Sequence, residues 1–129
     1  MTPASPCNEI LIVDNDEFTT KAIELRLEQA GYRCRVAHTG AQAMSLFSPE
    51  HTALVITDLE MPNGSGVDLI HGVRAQADTP IVVITGYRHE HYQELDALHR
   101  IDVLEKPFDI KALLRVVRLD MRLPGTNAA

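Results

Sequence analysis

The chain has 129 residues, 45% of them hydrophobic and 23% charged, a composition that excludes a disordered chain. Twelve Lys and Arg against eighteen Asp and Glu give 12 − 18 = −6, a poor start for direct nucleic-acid binding. The longest apolar runs, four or five residues, are too short to span a membrane. The opening MTPASPCNE has neither a basic start nor an apolar core, so no secretory signal is expected. Cys7 and Cys34 make no disulfide framework, and the cytoplasm is the expected compartment.

In chain order, Ile10-Leu11-Ile12-Val13 is the first continuous apolar run. Phe18, Ala22 and Leu25 follow at i, i+4, i+7, flanked by Ile23, Leu27 and Ala30, and predict a helix that Gly31 ends. Arg33-Cys34-Arg35-Val36-Ala37 reads as a mixed strand. Thr39-Gly40 then precedes a short helix bearing Ala43, Met44, Leu46 and Phe47, with Pro49 beyond it. Ala53-Leu54-Val55-Ile56 is the second apolar run, and Val67, Leu69, Ile70 and Val73 lie on a third helix. Ile81-Val82-Val83-Ile84 is the third run, followed by a fourth, least apolar helix over about Glu90 to His99 with Leu95 and Leu98 as anchors. Ile101-Asp102-Val103-Leu104 is again mixed. Ile110, Leu113, Leu114 and Val117 mark the last helix at i, i+3, i+4, i+7, with Asp109 as its cap.

Continuous β-branched runs suit strands buried on both faces of a parallel sheet, whereas mixed strands suit edges. Five βα units with right-handed crossovers then favour an α/β sandwich with strand order 2-1-3-4-5, the flavodoxin-like doubly wound arrangement. One domain is expected over 9–123, with tails at 1–8 and 124–129.

In such a sheet the functional site lies beyond the carboxyl ends of the strands, where the strand order reverses. Asp14, Asn15 and Asp16 follow the first strand, and Thr57 and Asp58 follow the third. Thr85 and Gly86 follow the fourth, and Glu105, Lys106 and Pro107 follow the fifth. Crowded carboxylates attract a hard divalent cation with oxygen ligands, which can neutralise phosphate charge. One carboxylate can act as nucleophile, while a lysine and a hydroxyl hold phosphoryl oxygens. Bland readings exist for the single residues: Asp16 as a helix cap, Asp58 as a turn residue, Thr85 as a strand end and Lys106 as an exposed loop lysine. Their conjunction after four strands favours phosphoryl chemistry. The six histidines, at 38, 51, 71, 89, 91 and 99, form no metal-binding pattern and read as surface residues.

The sequence resembles the receiver domain of two-component response regulators, of the CheY-like type, over about Asn8 to Leu123. ILIVDND resembles the family's opening strand and acidic pair, with Asp14 and Asn15 at the pair positions. ITDLEMPNGSGVDLI resembles the phosphoacceptor segment, with Asp58 as acceptor and Met61-Pro62 and Gly66 in their usual places. VVITGY supplies the switch hydroxyl Thr85 with Gly86 after it, and LEKPFD supplies Lys106, whose bond to Pro107 the family commonly holds cis. The resemblance implies that Asp58 attacks the phosphohistidine of a sensor histidine kinase or phosphotransfer protein. Magnesium, or manganese in its place, would be held by Asp14, Asn15, Asp58 and the backbone carbonyl of Glu60. Lys106 and Thr85 would hold phosphoryl oxygens. Thr85 would bias the surface of the fourth predicted helix, the fifth strand and the last helix toward a downstream effector, an output domain outside these residues or a second copy in a homodimer. Such a module catalyses only its own phosphorylation and dephosphorylation, with no direct contact to nucleic acid or membrane.

Asn15 stands where the family usually has a second Asp, so weaker magnesium binding is expected. Val103 replaces a frequent aromatic and leaves the usual Thr–aromatic coupling in doubt. Glu60 and Tyr87, two residues after Asp58 and Thr85, occupy positions expected to tune dephosphorylation. Two other readings remain: a receiver fold that no longer cycles and serves as a docking module, and an aspartate-nucleophile phosphatase with Asp14 as nucleophile and Asp16 as acid. The second leaves Asp58 and its M-P-x-x-x-G sequel unexplained. A flavodoxin-like cofactor binder is disfavoured, because Asp14-Asn15-Asp16-Glu17 would repel a phosphate in the absence of a metal.

Overall fold

The structure, a computed structural model, describes residues 8–61, 66–86 and 100–121. Its strands are β1 (Glu9–Val13), β2 (Arg33–Ala37), β3 (Thr52–Asp58), β4 (Ile81–Thr85) and β5 (Ile101–Glu105). Its helices are α1 (Glu17–Gln29), α2 (Gly40–Leu46), α3 (Gly66–Arg74) and α4 (Ile110–Met121). All strand pairs are parallel, in the order β2-β1-β3-β4-β5. The expected flavodoxin-like arrangement is therefore the one observed. The predicted helix at 90–99 and most of both predicted tails lie outside the described residues.

The two-residue period of the strands divides the core into two layers. Ile10, Ile12, Leu54, Ile56, Val82 and Ile84 pack with Ile23 and Leu27 of α1 and Leu113, Leu114 and Val117 of α4. Leu11, Val13, Val55, Ile81 and Val83 face the other way, toward Ala43 of α2, Phe47 at its C-terminal end and Leu69, Ile70 and Val73 of α3. All residues of β3 and β4 are buried, whereas β2 and β5 alternate with solvent at the two edges. Leu113 and Val117 have no exposed surface, and burying such side chains stabilises by roughly 1.5–3 kcal/mol each.

The expected first helix forms as α1, and the structure selects which of its faces is buried. The helix buries Thr20, Ile23 and Leu27, while Phe18 is 87% and Leu25 50% exposed. Two apolar stripes coexist on this helix, and the sheet takes the one carrying the β-branched Ile23. Gly31, at φ 98°, ends α1 as expected: its N–H donates to Glu28 O and that of Tyr32 to Leu27 O, each at 3.0 Å.

Candidate functional site

Parallel register brings the chemistry-bearing residues to one sheet edge. Val13 pairs with Thr57, Asp58 with Ile84, and Thr85 with Glu105. Asp14, Asp58, Thr85 and Lys106 therefore emerge from four neighbouring strands at the same end. The tight entry to α3 supports the arrangement, because Gly66 N–H donates to Leu59 O at 2.9 Å.

Asp14 and Asp58 are buried, at 4% and 5% exposure. Lys106 Nζ lies 3.0 Å from Asp58 Oδ2 and 3.9 Å from Asp14 Oδ2, so one ammonium serves both carboxylates. The other oxygens accept main-chain N–H groups: Asp14 Oδ1 from Asp16 at 2.9 Å, and Asp58 Oδ1 from Glu60 at 3.2 Å. Desolvation pushes the Asp14 carboxyl above its ordinary range, and the charge of Asp58 adds to the rise against the Asp16 N–H and Lys106. Partial burial alone would lower Lys106. The hydrogen bond and charge of Asp58, with Asp14 and Glu60 behind it, outweigh that and hold the ammonium above its usual value.

Thr85 is completely buried, and its hydroxyl donates to Glu60 Oε2 at 3.0 Å and Oε1 at 3.2 Å. Its carbonyl accepts from Lys106 N–H at 2.9 Å, and the Lys106–Pro107 bond is cis. The ends of β3, β4 and β5 are thereby tied together through Glu60, Thr85, Lys106 and Asp58.

The remaining predicted residues fall differently. Asn15 and Gly86 are exposed. Val103 is half-buried against the α2–α3 layer, while Tyr87 lies outside the described residues. Asp16 takes the bland role weighed for it: it caps α1, accepting from Phe18 N–H at 3.0 Å and Thr19 Oγ1 at 2.9 Å. The Thr19 hydroxyl and then the Phe18 N–H hold its carboxyl below the ordinary range. His38 was expected at the surface, yet it is half-buried and its Nδ1 lies 3.0 Å from the Asp14 carbonyl oxygen. That contact spans the β2–α2 loop and the end of β1, and no local spacing in the sequence announces it.

Among the described residues, no group of three or more His, Cys, Asp and Glu is arranged as a metal site. The Asp14 and Asp58 carboxylates, which share Lys106, are the buried donors that could hold a cation, and the resemblance adds the Asn15 amide oxygen and the Glu60 carbonyl to them. An all-oxygen set of that size fits a hard divalent cation that retains several waters. Two desolvated carboxylates sharing one lysine also leave negative charge for such a cation to neutralise.

A doubly wound sheet with paired acids and a lysine at its carboxyl edge defines the response-regulator class of α/β proteins. The family model of the response regulator receiver domain matches residues 10–118, and the chain belongs to that family. It is 33% identical over 116 residues to the transcriptional regulatory protein CpxR of Escherichia coli K12, covering 89% of this chain and 50% of that protein. The chain thus spans about half the length of the curated relatives it matches. Among solved structures, the non-phosphorylated HemR receiver domain of Leptospira biflexa has a TM-score of 0.83 at 30% identity, covering 90% of this chain and 95% of that one. The chemotaxis protein CheY4 of Vibrio cholerae has a TM-score of 0.79 at 27% identity, covering 88% and 98%. No described helix is long and apolar enough to cross a membrane.

Proposed function

We propose that Asp58 is the phosphoacceptor of a two-component signalling module. Its donor is the phosphohistidine of a sensor kinase or phosphotransfer protein. The observation supporting this most strongly is the 3.0 Å contact of Lys106 Nζ with Asp58 Oδ2, beside buried Asp14. A carboxylate held this way by an ammonium is oriented for attack, as a nucleophile must be.

In the transfer, an Asp58 carboxylate oxygen forms a bond to phosphorus as the phosphorus–nitrogen bond breaks. The electron pair leaves with the imidazole. Lys106, already on the acceptor carboxylate, is within reach of an oxygen of the incoming group and offsets its charge. Thr85 offers its hydroxyl to a second oxygen. Asp14, Asn15, Asp58 and the Glu60 carbonyl would hold magnesium, which when bound supplies charge neutralisation for the phosphoryl oxygens. Movement of Thr85 would then alter the surface around β5 and α4 presented to an effector, an output domain or a second copy.

Incubation with phosphoramidate and magnesium tests the reading. A phosphorylated species is expected for the wild type and is expected to be absent for Asp58→Asn or when EDTA replaces the metal. An unmodified wild type would favour the docking-module alternative, and modification that survives Asp58→Asn would favour the Asp14 phosphatase alternative.

A further inference from the structure

Glu60 touches the site twice. Its main-chain N–H donates to Asp58 Oδ1 at 3.2 Å, and its carboxylate accepts the Thr85 hydroxyl at 3.0 and 3.2 Å. Its negative charge is also felt at Lys106. One residue therefore joins the candidate acceptor to the candidate switch before any phosphoryl group is present.

The chemistry of that junction is competitive. A hydroxyl has one proton to donate, and a carboxylate is a strong, charge-assisted acceptor for it. Thr85 is completely buried, so no bulk water replaces this partner freely. A phosphoryl group on Asp58 brings anionic oxygens of its own and can engage the Thr85 hydroxyl only by drawing it from Glu60. Two anions then contend for one proton next to a single lysine.

We propose that Glu60 is a latch on Thr85. Its carboxylate holds the hydroxyl in the unphosphorylated protein and opposes its transfer to the phosphoryl oxygens. Glu60 is thus a positioning residue that acts through Thr85, and the proposal rests on Asp58 as phosphoacceptor. A latch of this kind shifts the equilibrium between the two Thr85 partners by the difference in their affinities for the hydroxyl.

Two measurements test it. In the unphosphorylated protein, three-bond NMR couplings report the Thr85 χ1 rotamer. A single rotamer is expected for the wild type, averaging for Glu60→Ala, and an intermediate result for Glu60→Gln, whose amide oxygen still accepts. Identical rotamer populations in all three would overturn the latch, whatever the outcome of phosphorylation.

The second measurement is binding of beryllofluoride, a phosphoryl analogue, with magnesium present. Glu60→Gln and Glu60→Ala are expected to bind it about two- to tenfold more tightly, the range of one net hydrogen bond. The gain should persist with Thr85→Ser, which keeps the hydroxyl, and vanish with Thr85→Ala. An equal gain in the Thr85→Ala background would overturn the latch and leave Glu60 acting through charge alone. Failure of the wild type to bind beryllofluoride would count against the phosphoacceptor reading, and the rotamer populations would then decide the latch by themselves.

Discussion

A Cβ added to Gly66 would stand 2.3 Å from the carbonyl oxygen of Asp58 and 2.8 Å from Cα of Leu59. Both neighbours are main-chain atoms of the acceptor turn, so no flexible side chain can give way. The start of α3 and the carboxylate two strands from the sheet edge are therefore fixed against each other through a missing methyl group. Gly66→Ala is expected to destabilise the protein by about 1–3 kcal/mol, the range for overpacking a filled site. Urea denaturation measures this. Phosphorylation of the variant should slow as well, because the atom displaced belongs to Asp58.

Asp120, on α4, is a third buried acid, 7% exposed, and among the described residues its Oδ2 has no hydrogen-bond partner. Burial first, then the neighbouring Asp102 carboxyl, pushes it from 3.8 to about 7 against the pull of Arg100. The folded chain holds this proton where the unfolded chain has released it. The resulting stability is complete below 3.8 and is lost as pH rises toward about 7. Asp120→Asn removes the titration. Its Tm should exceed that of the wild type in mildly alkaline buffer, and the gap should narrow in mildly acidic buffer. A pH-independent gap in thermal melts would contradict the assignment.

Asp14 illustrates how function and stability separate. Desolvation works against its ionised form, so Asp14→Asn should raise Tm in EDTA. The same change should abolish stabilisation by magnesium, which for a ligand at a hundredfold its Kd amounts to about 2.7 kcal/mol. Asn15→Asp should do the reverse, tightening magnesium binding by adding a carboxylate and lowering Tm without the metal. Thermal melts of the three proteins across a magnesium titration check all of these outcomes, and unchanged magnesium affinity in Asn15→Asp would sink the argument for a weakened site.

The sheet was legible because its physics is local. Ile10–Val13, Ala53–Ile56 and Ile81–Ile84 need burial on both faces, and only central parallel strands offer it. The α4 face was equally legible, since Leu113, Leu114 and Val117 share one stripe and Asp109 caps it, accepting from Lys111 N–H at 3.0 Å. The α1 face was not. Phe18, Ala22 and Leu25 make as regular a stripe as Thr20, Ile23 and Leu27, and only the position of the helix over β1 and β3 decides between them.

The candidate site divides in the same way. Asp14, Asp58, Thr85 and Lys106 could be found because each directly follows or ends a strand, and the topology brings strand ends together. His38, Asp120 and the Thr85–Glu60 bond could not, because each depends on a contact between elements distant in sequence. Thr85 and Glu60 are 25 residues apart and His38 and Asp14 are 24 apart. Asp120 sits on a helix whose sequence pattern would equally accommodate it facing solvent. Asp16 shows the opposite case, a residue in an acidic run whose local role as a cap outweighed its neighbours.

The central claim is that Asp58, rather than Asp14, receives the phosphoryl group. Borohydride reduces an aspartyl phosphate to homoserine, which marks the modified position permanently. After treatment with phosphoramidate and magnesium, borohydride trapping and peptide mass spectrometry should place homoserine at position 58 and leave Asp14 intact. Homoserine at position 14, or at neither position, would contradict the account.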